Sequence, residues 1–179
     1  MRKKSPPISL TQKSQKGFTL IELVVVIVIL GILAVTAAPK FIDLQEDART
    51  ATLNAVKASM QSASTIVHSK SLIAGNEATA TSTVVVNGVS EPIALGYPRS
   101  NDAAAATSWG NLLDVDDFTI ASSQDKATTK IVIIYPTTAP VLTDWTIDDE
   151  PTAAANCFSY YSEVTVAGNL PVIETVNCI

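Results

Sequence analysis

Three hydrophobic rhythms follow one another along the chain. The first is almost unbroken: Phe18 to Ala38 is 21 residues, nearly all apolar, with Val, Ile and Leu dominating from Leu20 to Leu33. As a helix at about 1.5 Å per residue it spans roughly 32 Å, enough to cross a hydrocarbon core. The second is periodic. Leu53, Val56, Met60, Ala63 and Val67 follow a 3-4-3-4 spacing, the apolar stripe of an amphipathic helix. Arg49, Lys57, Gln61, Ser64 and His68 fall off that stripe, and the pattern stops near Ala74-Gly75-Asn76, where glycine suits a helix end. One long helix is therefore expected from about Phe18 to Ala74.

The third rhythm is that of short strands. Thr83-Val84-Val85-Val86, the dipeptide Asn87-Gly88 and Val89 onward read as a hairpin with an Asn-Gly turn, and Tyr97-Pro98 closes that region. Lys130 to Tyr135 is a strand stopped by Pro136, and Cys157–Val166 and Val172–Cys178 are two further strands. A short helix is expected between Ala103 and Leu113, and loops at 76–82 and 136–143. Helix first and antiparallel strands afterwards make an α+β plan: a long N-terminal helix packed on an antiparallel sheet head. The expected divisions are 1–17, an apolar helix 18–38, its amphipathic continuation 39–75, and a β-rich head 76–179.

Charge orients this plan. Residues 1–17 hold Arg2, Lys3, Lys4, Lys13 and Lys16 and no acid, whereas the remainder carries seven bases against 17 acids. The positive-inside rule puts the basic end in the cytoplasm and the acidic body across the membrane. An acidic body is a poor partner for nucleic acid. A secretory signal has a shorter apolar core and a small-residue cleavage site. Here the candidate Thr36-Ala37-Ala38 is followed by Pro39, a poor residue after a scissile bond. A plain anchor explains length and flanking charge but not Glu22, since an acid in such a segment costs on the order of a few kcal/mol unless paired. Either Glu22 sits shallow and reaches the interface, or it meets a cation from another subunit.

The stretch Lys16-Gly17-Phe18-Thr19-Leu20-Ile21-Glu22-Leu23, continued by Gly31, Ile32, Leu33, Ala34, Ala37, Pro39 and Phe41, resembles the prepilin signature of type IV pilins and of the pseudopilins of type II secretion. The resemblance covers about 30 residues. It implies cleavage between Gly17 and Phe18 by a membrane-embedded prepilin peptidase and N-methylation of the new Phe18 amine. It implies that Glu22 pairs with the terminal amine of a neighbouring subunit, setting the register of a filament. Gly31 and Pro39 both weaken a helix, and the resemblance implies that the helix melts or kinks there on assembly. In overall plan the chain is most similar to pilins of the mannose-sensitive haemagglutinin (MSHA) type. A 17-residue leader is longer than in many type IVa pilins and fits that group.

Cys157 and Cys178 enclose 20 residues. In a reducing compartment they would be free thiols; across the membrane they can pair. The family resemblance implies a disulfide bounding an exposed C-terminal region of the head. Closing such a loop stabilises by roughly 3 kcal/mol.

Other chemistry is sparse. His68 is the only histidine and reads as a helix-surface residue; no nucleophile-base set and no glycine-rich phosphate loop accompany it. Asp114, Asp116 and Asp117, and separately Asp148, Asp149 and Glu150, are solvated acidic loops or weak calcium candidates. Trp109, Trp145, Tyr160 and Tyr161 are expected in the core or at subunit contacts. The expected function is therefore a structural pilus subunit, not an enzyme, with no cofactor or metal. The expected partners are further copies of the chain, the prepilin peptidase, the pilus assembly machinery and the inner membrane, with a surface receptor or polysaccharide at the filament's exterior. A type II secretion pseudopilin or a minor pilin is the alternative, and a membrane-anchored enzyme the third.

Overall fold

The computed structural model describes residues 17–101, 104–124, 130–137 and 157–178. Residues 1–16 of the expected leader 1–17, Trp145 and the Asp148, Asp149, Glu150 cluster lie outside the described residues, as does the loop expected beyond Thr137. By contacts the chain divides into two units, residues 1–41 and 42–179.

Helix α1 runs from Leu20 to Ala74. Residues 17–36 of the first unit are exposed, so this half of α1 has no core of its own. The helix is continuous through Gly31 and Pro39. Melting at those two positions, expected only on assembly, is thus not a feature of the single chain. The helix starts two residues later than its apolar run, because Thr19 caps it. At the other end Gly75 takes a left-handed φ of +67°. Its N–H donates to Leu72 O and that of Asn76 to Ser71 O, each at 3.2 Å, the paired bonds of a Schellman stop. Asn76 then ties this end to the first strand: it accepts from Ser71 Oγ at 2.7 Å and donates to Ser82 Oγ at 2.9 Å.

The second unit carries two antiparallel sheets. In the first, β1 (Ser82–Val86), β2 (Val89–Ala94) and β3 (Tyr97–Pro98) pair in sequence order. Asn87 and Gly88 both have positive φ, as a two-residue hairpin requires, and Val86 faces Val89 across the turn. The second sheet follows helix α2 (Ala105–Leu112) and orders β4 (Phe118–Gln124), β5 (Lys130–Pro136), β6 (Phe158–Ser162) and β7 (Val172–Val176). The sequence pattern anticipated β5 to β7 but a single sheet, and it omitted β4. Strand β4, with its Ala121-Ser122-Ser123, has little β-propensity of its own. Pairing with the apolar β5, from Phe118↔Pro136 to Gln124↔Lys130, makes it a strand.

The amphipathic stripe of α1 is the spine of the core. Leu53, Val56, Met60, Ala63 and Val67 are all buried. Val56, Met60 and Ala63 pack with Trp109 and Leu113 beside α2 and with Val132, Ile134 and Tyr161 of β5 and β6. Val67 packs farther along against Val84, Val86 and Ile93 of the small sheet. Each such apolar side chain withdrawn from water contributes about 1.5–3 kcal/mol. Strand β5 is buried on both faces, since Ile131, Ile133 and Tyr135 form another cluster with Phe158 and Tyr160. This explains its unbroken apolar run. Cys157 and Cys178 are bridged, with Cα atoms 4.6 Å apart, and flank the ends of the paired strands β6 and β7.

Candidate functional site: the helix start and its surroundings

Gly17, Phe18 and Thr19 precede α1 without regular structure. The cut expected between Gly17 and Phe18 therefore falls in backbone outside the helix, two residues before α1 begins. Phe18 is almost wholly exposed.

Glu22 is four positions beyond Phe18 and three beyond Thr19. Its Oε2 accepts from the Thr19 backbone N–H at 2.9 Å and from Thr19 Oγ at 2.7 Å. The Glu22 N–H lies 3.4 Å from Thr19 Oγ. This is a capping box: cap residue and third helical residue satisfy each other's orphan groups. Its sequence signal is Thr19-Leu20-Ile21-Glu22, the pattern Thr-x-x-Glu before an apolar run. It was legible, yet a search for an external cation alone overlooks it. The acid in the apolar segment thus has a partner inside its own chain. A carboxylate also suits the positive end of a helix dipole.

The remaining predicted residues do not converge on this site. Cys157 and Cys178 belong to the head, where the Cys178 N–H donates to Thr50 Oγ1 at 3.0 Å. His68 is half-buried rather than on the open surface. Its ring stacks on Tyr97, and its Nδ1 lies 3.2 Å from Gly96 O. With Gln61, Ser64, Thr65, Leu170, Pro171 and Ile173, this pair lines an open cavity of about 400 Å³. Trp109 and Tyr161 are core residues in tilted ring contact at 4.5 Å. The Tyr161 hydroxyl donates to Pro98 O at 2.7 Å. Burial, reinforced by the negative charge of Glu163, pushes this phenol well above its ordinary range. Asp114, Asp116 and Asp117 are exposed, and among the described residues no cluster of His, Cys, Asp or Glu is arranged to hold a metal ion.

Among the described helices α1 alone is long and apolar enough to cross a membrane, with a mean hydropathy of 3.0 over its most apolar 18 residues. The family described as the prokaryotic N-terminal methylation motif matches residues 12–38, which contain Gly17, Phe18 and Glu22. Among curated proteins, the type IV narrow pilus major component PilA5 of Thermus thermophilus is 54% identical over 48 residues, which are 27% of this chain and 41% of that protein. The match spans less than half of that relative's length. No solved structure matches the chain. What the chain shares with known proteins is thus the methylation motif over residues 12–38 and a 48-residue likeness to a type IV pilus component, on a fold of a long N-terminal helix with an antiparallel α+β head.

Proposed function

We propose that this chain is the precursor of a structural subunit of a type IV pilus, of the MSHA type, that serves in surface attachment. The observation that carries the reading is the N-terminal methylation motif set on an exposed apolar helix. In this reading the leader 1–17 stays in the cytoplasm and residues 18–38 anchor the precursor in the inner membrane, with the head on the far side. A prepilin peptidase cleaves after Gly17 and methylates Phe18. Assembly machinery then draws subunits into a helical homopolymer whose core is the apolar half of α1.

Within the filament, Glu22 pairs with the methylated amine of Phe18 of an adjacent copy. That pairing neutralises the acid and fixes the axial step. Gly31 and Pro39 are where α1 loosens to fit the packed core. The Cys157–Cys178 bridge holds the outer region of the head, which meets a receptor or polysaccharide. The role is structural, and the chemistry done on the chain is that of its processing enzyme.

Mass spectrometry of the mature N-terminus in filaments sheared from cells tests the reading. The expected result is a methylated Phe18 in abundant extracellular material. A correctly cut Phe18 confined to the envelope would instead indicate a pseudopilin or a minor subunit. An uncut chain in the membrane would sink the pilin reading altogether.

A further inference from the structure

The open cavity of about 400 Å³ lies wholly within the second unit. Its size falls in the range of small-molecule sites, about 300–1,000 Å³. One wall is a face of α1, where Gln61, Thr65 and His68 are spaced four and then three residues apart, with Ser64 beside them. The facing wall is apolar and includes Leu170 and Pro171, just before β7. Among the described residues none that lines the cavity is Asp, Glu, Lys or Arg. An ion leaving water for this cleft would meet no counter-charge.

The polar wall offers donors and acceptors together. Gln61 is exposed, and its amide brings two N–H donors and a carbonyl. The Thr65 hydroxyl donates to Gln61 O at 2.8 Å, which leaves its lone pairs to accept. His68 Nδ1 lies 3.2 Å from Gly96 O, an acceptor only, so Nδ1 carries the proton and Nε2 of the neutral ring is an acceptor. Ser64 neighbours the Tyr161 hydroxyl, yet its Oγ is sealed from solvent and has no partner in hydrogen-bond geometry. One side-chain torsion separates that orphan hydroxyl from an occupant of the cavity. A purely apolar occupant would dehydrate these groups and pair none of them.

The chemistry that fits is a neutral molecule with hydroxyls at its rim and a C–H face, as in a pyranose ring. Its C–H groups suit an aliphatic wall and the negative faces of aromatic rings. An extended peptide fits less well. It would bind by continuing a sheet, and β3 and β7 are both edge strands. Pro98 in β3 and Pro171 before β7 have no N–H to give to it.

We propose that this cavity is a binding site for a neutral saccharide. One pyranose unit sets its hydroxyls against Gln61, Ser64, Thr65 and His68 Nε2, and its C–H face against Leu170 and Pro171. As a statement about attachment the proposal rests on the pilus reading above, whose outer partner it narrows. As a statement about binding it concerns the chain alone, so the two fail separately.

His68 is the only histidine, so its ring protons give an unambiguous magnetic-resonance signal at the cavity. The full chain is held in a zwitterionic detergent without a sugar headgroup. It is titrated with the methyl pyranosides of glucose, galactose and mannose, and separately with cyclohexanol and with sodium glucuronate. At least one hexoside should shift the His68 signals saturably in the millimolar range. Cyclohexanol and glucuronate should bind more weakly than that hexoside. Gln61→Ala should weaken the hexoside roughly fivefold, the scale of one hydrogen bond. Leu170→Ala should weaken it by about the same factor, through lost apolar contact. Both side chains are exposed, so neither change disturbs the core.

No shift with any of the three hexosides would overturn the proposal. Equal or tighter binding of cyclohexanol would reduce the cavity to an apolar cleft, and tighter binding of glucuronate would contradict its neutrality. Unchanged affinity in both variants would place the sugar elsewhere. Hexoside binding by a chain that cells leave uncut at Phe18 would uphold the site while sinking the pilus reading.

Discussion

The His68 ring lies flat on the ring of Tyr97, with centroids 4.2 Å apart and planes within 1° of parallel. The stack joins helix α1 to strand β3, and the turn before β3 is built around it. Leu95 and Gly96 both have positive φ, at +48° and +85°. A Cβ on Gly96 would come within 2.9 Å of His68 Nδ1 and 3.1 Å of Glu77 O.

Gly96→Ala should therefore destabilise the head by roughly 1–3 kcal/mol, from backbone strain and from displacement of the stack. Urea unfolding of the full chain in detergent, followed by near-ultraviolet circular dichroism, measures this. An unchanged midpoint would mean that the turn relaxes without cost.

The bridge between Cys157 and Cys178 closes a long loop around β6 and β7. Replacing both cysteines by serine should lower stability by about 3 kcal/mol, through the freedom returned to the unfolded chain. Dithiothreitol should shift the wild-type urea midpoint to the same place and leave the double variant unmoved. Equal midpoints with and without reductant in the wild type would count against it.

Met60 is fully buried among α1, α2 and the large sheet. Met60→Ala should cost about 2–5 kcal/mol, as lost transfer energy plus a cavity. The substitution lies in the head half of α1, so Phe18 should still be cleaved and methylated. Loss of processing together with stability would show that the peptidase requires a folded head.

Tyr161 gives the head an alkaline limit. Its folded pKa is raised by burial and by Glu163, while the unfolded phenol titrates near 10. Below pH 10 both states hold the proton and stability is unaffected. As pH rises past 10 the unfolded chain releases it and the folded chain does not, so stability falls by up to about 1.4 kcal/mol per pH unit. Tyr161→Phe loses the hydroxyl bond to Pro98 O but should show a shallower fall in thermal midpoint between pH 9 and 11. Parallel slopes would assign the alkaline sensitivity to other groups.

By itself the sequence determined whatever depends on neighbours a few residues apart. The five stripe residues Leu53 to Val67 are all buried because a helix places every third or fourth residue on one face. Gly75 marks the helix end, and Asn87-Gly88 the hairpin, because few residues accept a left-handed φ. The Thr19–Glu22 box was equally local, and Thr19-x-x-Glu22 announced it. Tertiary structure decided what depends on pairing across distance. Strand β4 exists because β5 offers it a ladder, against its weak propensity. The strands fall into two sheets because α1 turns different buried residues, Met60 and Val67, toward different partners. His68 left the surface because a turn 28 residues away placed Gly96 O and the Tyr97 ring against it. No local period encodes such meetings, since they follow from which surfaces remain to be buried once the helix and the strands have formed.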